Sequence, residues 1–245
     1  LILTGLFGGL LGLIIGLVII KSLNKNKGNL ITVKQLDNFF IWAVIGIILG
    51  GRIGYVILYQ INEFLNNPLY IFEIWNGGMS FHGGLVGIII SIYIFCKIHK
   101  INFFYLSDLV AVVSPIGIFF GRIANFINTE LIGRPTEFYI TVIYPQIDNI
   151  PRHPSQLYEA FFEGIILFII LLFYFFRKNE LDKFGVTSGL FLVLYSIFRF
   201  FIEFIREPDA HLGLFYNFIT MGQILTIPLF IIGIIFIRYN GYREK

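Results

Sequence analysis

Apolar residues fall in long runs, such as Ile165–Phe176 and Ile227–Ile237, separated by short polar segments. They do not follow the period-2 alternation of half-buried strands, or the narrow stripes of soluble amphipathic helices. About 20 apolar residues at roughly 1.5 Å each cross a hydrocarbon core of about 30 Å. On that measure the pattern predicts seven transmembrane helices, at residues 2–20, 38–59, 79–96, 106–127, 156–176, 188–205 and 218–237. The fourth is interrupted by Ser114, Pro115 and Gly117. Two connecting segments carry patterns of their own. Residues 62–78, with Pro68 and Trp75, suit a short segment lying in the membrane interface. Within residues 128–155, the β-branched and aromatic run Phe138–Pro145 predicts a strand or hairpin in a small extracytoplasmic cap. The expected fold is an all-α integral membrane protein, with residues 1–245 forming a single polytopic domain.

Composition agrees. Hydrophobic residues make up 57% of the chain and charged residues 13%, against roughly 25% charged in soluble domains, which excludes an ordinary soluble fold. One cysteine excludes a disulfide framework and a cysteine metal site, and a net charge of +3 argues against a nucleic-acid partner. The first span has no basic segment before it, so a retained helix is expected rather than a cleaved signal peptide.

The distribution of charge predicts orientation, because Lys and Arg are retained on the cytoplasmic side. Twelve of the eighteen basic residues follow spans one, three, five and seven: Lys21, Lys25, Lys27, Lys34, Lys97, Lys100, Arg177, Lys178, Lys183, Arg238, Arg243 and Lys245. Only Arg134, Arg152 and Arg206 follow spans two, four and six. The N-terminus is therefore expected outside and the C-terminus in the cytoplasm. The remaining three, Arg52, Arg122 and Arg199, lie within spans. An intramembrane Arg costs at least about 2.5 kcal/mol to insert and keeps its proton, so each needs a partner or a purpose. Counting residues along the spans puts all three, together with His82, in the outer half of the membrane.

Four segments could carry chemistry. Arg122 and Asn125 share a helix face at i, i+3, with Asn128 and Glu130 crowding the same helix end; the plainer alternative is an Arg that snorkels to water. Tyr195, Arg199 and Glu203 form a polar stripe at i, i+4, i+8, which could also be an internal ion pair and nothing more. His82 sits among Gly77, Gly78, Gly83, Gly84 and Gly87. Imidazole suits proton transfer near neutrality, but the same glycines could simply pack helices. Arg152–Glu159 opens the fifth span, where His153, Ser155 and Gln156 could cap the helix or face a cavity. No metal site is expected, since no His pair has i, i+4 spacing, and no P-loop, dinucleotide fingerprint or serine elbow occurs. No cofactor is expected either. Two or three Arg beside Asn, His and Glu suit an anionic amphiphile, most simply a phospholipid phosphate.

The ordered motifs Gly51-Arg52-x-Gly54-Tyr55-Val56, His82-Gly83-Gly84-Leu85, Gly121-Arg122-x-x-Asn125-Phe126-x-Asn128-x-Glu130-x-x-Gly133, His153-Pro154-Ser155-Gln156-Leu157-Tyr158-Glu159 and Arg199-Phe200-x-x-Glu203-x-x-Arg206-Glu207-Pro208-Asp209 resemble those of the prolipoprotein diacylglyceryl transferases of bacterial inner membranes. The resemblance implies transfer of the diacylglyceryl group of phosphatidylglycerol to the lipobox cysteine thiol of a prolipoprotein signal peptide, with release of glycerol phosphate. It implies that Arg122 and Arg199 bind the phosphate, and that Asn125, Glu130, Gly133, Tyr195 and Arg52 contribute to the lipid site. His82 is the expected general base, with Glu203 orienting Arg199; Glu203 or the substrate phosphate are the alternatives as base. Thr4, before Gly5-Leu6, stands where the family usually has Tyr. The competing function is a carrier or flippase for an anionic lipid or solute, which would need polar residues continuing to the cytoplasmic side.

Overall fold

A chain this apolar satisfies its backbone hydrogen bonds most cheaply inside helices, and helices dominate the computed structural model, which describes residues 2–73, 75, 77–177, 184–208 and 219–241. In chain order they are α1 (Ile2–Asn26), α2 (Val33–Tyr59), α3 (Ile61–Asn66), α4 (Phe81–His99), α5 (Phe103–Ile127), α6 (Ser155–Arg177), α7 (Val186–Ile202) and α8 (Met221–Gly241). A 3₁₀ turn, Pro68–Phe72, follows α3. Six of these helices are long and apolar enough to cross a membrane; α7 is apolar but has 17 residues. The chain forms an all-helical, multi-pass membrane protein. It divides into two compact units, Lys21–Ser107 and Leu1–Ile20 with Asp108–Lys245.

In the unit Lys21–Ser107, α2 and α4 pack through glycines. Gly46, Gly50 and Gly54 recur every four residues on α2 and face Gly83 and Gly87 of α4, and a Cβ on any of them would collide with the opposing backbone. Gly83 and Gly87, near His82, thus serve helix packing. Thr32 opens α2 with a capping box: its hydroxyl accepts from the Gln35 N–H at 3.2 Å, and Gln35 Oε1 accepts from the Thr32 N–H at 2.9 Å. Ser80 caps α4 by accepting from the Gly83 N–H at 3.2 Å. Asn24 closes the turn between α1 and α2, bonding both the N–H and C=O of Ile31 and accepting from the Tyr105 hydroxyl.

In the other unit, Gly8 and Gly12 of α1 rest on Phe120 and Gly117 of α5, and Gly189 of α7 faces Gly233 of α8. The expected interruption at Ser114, Pro115 and Gly117 does not occur, and α5 runs through Pro115. Asp108, 1% exposed, caps α7 from α5: its carboxylate accepts from the Gly185 N–H and Ser188 N–H, both at 2.8 Å, and from the Ser188 hydroxyl at 2.7 Å. Gly185, at φ 96°, has the left-handed backbone that brings its N–H to the carboxylate. Residues Ala160–Ile166 of α6 are wound as a π-helix.

Three sequence expectations need correction. Phe138–Pro145 forms no strand; among the described residues the cap contains only isolated antiparallel bridges, Val142 and Pro135 each to Arg152, and Gly133 to Arg206. A β-segment needs a continuous partner, and this one has none. Ser155 and Gln156 do not cap their own helix; they bond to loop carbonyls described below. The sixth expected span, 188–205, is helical only to Ile202 and then turns. Lys178, Lys183, Asp209, Phe218, Arg243 and Lys245 lie outside the described residues, as does the Thr4 side chain.

Candidate active site

The site grows from one helical repeat. Glu159 and Glu163 are four residues apart on α6, one at the end of its first α-turn and the other inside the π-wound segment, and both side chains are fully buried. Two buried carboxylates cannot persist without counterions, and α5 and α7 supply them. Arg122 Nε stands 2.8 Å from Glu159 Oε2, and its Nη2 3.5 Å from Glu163. Arg199 Nη1 donates to Glu159 Oε1 at 2.5 Å, while its Nη2 stands 2.7 Å from Glu203 Oε2. Both arginines expected from the sequence therefore converge on a single carboxylate, that of Glu159. Arg206, in the turn after α7, is 7% exposed and stands 3.7 Å from Glu203, so three guanidinium groups meet three carboxylates. Tyr195 is buried beside them and stacks on Phe191 at 5.8 Å. Gly222, at the start of α8, leaves room for Glu203: a Cβ there would lie 2.7 Å from Glu203 Oε1.

The polar end of α5 folds into the cap. Asn125 Nδ2 donates to Glu130 Oε2 at 3.3 Å, and the Glu130 N–H returns to the Asn125 carbonyl at 2.9 Å. Gln156 Nε2 donates to the Glu130 carbonyl at 2.6 Å and its Oε1 accepts from the Tyr144 hydroxyl at 3.0 Å, while the Ser155 hydroxyl donates to the Leu131 carbonyl. Gly133 is buried against His153, where a Cβ would meet the His153 backbone. Arg152 binds Asp148 through Nε and Nη2, and reaches Glu207 and the Gly133 carbonyl through Nη1. These hydrogen bonds hold the Asp148 carboxyl below its usual 3.8.

Arg52 belongs to the other unit. Its side chain donates to the carbonyls of Tyr70, Ile71, Gly77 and Gly78 and lies 4.8 Å from the Tyr70 ring, so it ties down the segment between α3 and α4. His82 is half-buried in the first turn of α4, edge-on to Phe81. The structure thus joins Arg122, Tyr195, Arg199 and Glu203 in one cluster, places Asn125, Glu130 and Gly133 around the adjoining cap, and finds Arg52 and His82 in the unit Lys21–Ser107.

The family model described as "Prolipoprotein diacylglyceryl transferase" matches residues 6–239. The chain belongs to that family. Among curated diacylglyceryl transferase relatives, "Phosphatidylglycerol--prolipoprotein diacylglyceryl transferase" of Rickettsia bellii (strain OSU 85-389) is 56% identical over 204 residues, covering 83% of this chain and 78% of the relative. The proteins of the same name from Rickettsia felis and Rickettsia typhi are each 52% identical over 213 residues, covering 87% of this chain and 82% of each relative.

For this transferase chain, sequence reasoning found Glu203 but missed Glu159, Glu163 and Arg206 as members of the cluster. Glu159 was visible only as part of a motif, and Glu163 carried no motif. Two acids four apart in an otherwise apolar run were the available signal, because on a helix they share the face that the intramembrane Arg must meet. Arg206, counted with the outer loop, is i+3 from Glu203.

Proposed function

We propose that the chain transfers the diacylglyceryl group of phosphatidylglycerol to the lipobox cysteine thiol of prolipoproteins in the bacterial inner membrane. The protein would span the membrane seven times, with its N-terminus outside, its C-terminus cytoplasmic and its site in the outer half. The observation that carries the phosphate reading is the convergence of Arg122 and Arg199 on Glu159. A carboxylate held between two forked guanidinium groups occupies the kind of position a phosphate can share, and family membership supplies the substrate class.

In the reaction the thiolate forms a C–S bond to the glycerol carbon while that carbon's C–O bond to phosphate breaks, so negative charge builds on the departing glycerol phosphate. Arg122 and Arg199 stabilise that charge, which a low-dielectric site makes effective. The thiol, with an ordinary pKa of about 8.5, must first lose its proton, and His82 is our proposed acceptor. Glu203 holds the Arg199 fork, Asn125, Glu130 and Gly133 set the wall beside Arg122, Tyr195 lines the buried side, and Arg52 acts through the segment it ties down. Arg122→Ala and Arg199→Ala should each lower transfer to a lipobox peptide by at least about 100-fold. Arg134→Ala, which loses one side-chain bond to the Arg206 carbonyl, should lower it by no more than about tenfold. Near-native rates in either of the first two would remove the phosphate role. Native turnover with an unchanged pH profile in His82→Gln would remove the base.

A further inference from the structure

The cluster contains one carboxylate that its counterions hold only loosely. Glu159 accepts a hydrogen bond from Arg199 and lies 2.8 Å from Arg122, and Glu203 lies 2.7 Å from Arg199. Glu163 is fully buried, neither of its oxygens accepts a hydrogen bond, and its closest cations stand 3.5 Å away (Arg122) and 4.0 Å away (Arg199). It projects from the π-wound turn, a winding that recurs at functional sites. The charged and titratable groups facing it are Arg122 from α5, Glu159 from its own helix, Tyr195 and Arg199 from α7, and Arg206 beyond α7. Glu203 joins the set through Arg199.

With all three carboxylates ionised, the three guanidinium groups are balanced. A phosphodiester arriving at Arg122 and Arg199 adds one negative charge to a closed, low-dielectric site, where an unbalanced charge is costly. Neutralising one carboxylate removes that cost, and the group that gives up the least in doing so is Glu163, whose cations stand at 3.5 and 4.0 Å, against 2.5–2.8 Å for the nearest cations of Glu159 and Glu203. We infer that binding of the phosphodiester headgroup takes up one proton, and that Glu163 receives it. The inference rests on the phosphate reading above and deepens it: the site binds an anion together with a proton, and Glu163 is a positioning residue that adjusts the cluster's charge to its occupancy.

A phosphodiester does not titrate near neutrality, so short-chain phosphatidylglycerol is a clean probe. The full chain in a zwitterionic detergent would be titrated with it calorimetrically, in pairs of buffers of different ionisation enthalpy, across about pH 6–8. The native protein should take up close to one proton per lipid at its maximum, with affinity weakening by up to about tenfold per pH unit above that maximum. Glu163→Gln should bind without proton uptake and with little pH dependence. Native binding without proton uptake, or undiminished uptake in Glu163→Gln, overturns the inference. If Glu163→Gln does not fold, the infrared spectrum of the native protein decides. A protonated-carboxyl band should appear on adding the lipid, and its absence is contradictory. Arg122→Ala separates the two readings. Binding as tight as native in that variant removes the phosphate site and the inference with it, whereas Arg122-dependent binding without proton uptake removes the inference alone.

Discussion

At the scale of residues, the sequence exposes cations more readily than the anions that hold them. Arg122 and Arg199 stand out because each interrupts an apolar run, and the structure brings both to Glu159. Asp108 drew no attention because it sits near a span end, where an acid looks solvated; it is buried and fully engaged with α7. The cap has a simpler pairing, Asp148 to Arg152, with Arg152 also reaching Glu207 and the Gly133 carbonyl. Arg152 lowers the Asp148 pKa in the folded cap, so the folded state binds this proton less readily than the unfolded state. The contribution is therefore present above about pH 4 and is lost as pH falls through the lower, folded value. Hydrogen exchange of the backbone around Val142 and Arg152 should be flat from about pH 8 to 5, after correction for intrinsic rates, and should rise in Asp148→Asn at neutral pH. Unchanged protection in that variant would show that the bridges hold the cap without the ion pair.

At the scale of elements, helices followed from composition and strands did not. Long apolar runs predict helices because the backbone must satisfy itself, and even Pro115 leaves α5 continuous. The run Phe138–Pro145 has strand composition but no neighbouring strand, so side chains from α6 organise the cap. Local pattern can indicate propensity; it cannot supply a partner. The π-winding of α6 has no comparable sequence signature. Asp108 links α5 to the first turn of α7. Asp108→Ala leaves the Gly185 and Ser188 donors without their acceptor, and should destabilise the fold by about 1–3 kcal/mol. Asp108→Asn, which keeps an acceptor oxygen, should recover part of this. Thermal unfolding in detergent checks both, and a native melting temperature in Asp108→Ala would contradict the capping role.

At the scale of the whole molecule, the twelve-to-three division of basic residues sets the proposed orientation, and labelling tests it. In a Cys96→Ser background, Tyr139→Cys in the cap should react with an impermeant maleimide added outside intact cells, whereas Lys27→Cys should react only after lysis. The reverse pattern would invert the topology and put the cap in the cytoplasm. The family was legible because its motifs are short and keep their order along the chain. How Glu159 and Glu163 complete the cluster became visible only once α5, α6 and α7 were placed in space. The purified chain, reconstituted with phosphatidylglycerol and a peptide carrying a lipobox cysteine, would be followed by intact peptide mass. The expected result is the gain of one diacylglyceryl group on the thiol, with one glycerol phosphate released per modified peptide and no gain when the cysteine is replaced by serine. An unmodified peptide in the presence of bound phosphatidylglycerol, under conditions where a related transferase is active, would contradict it.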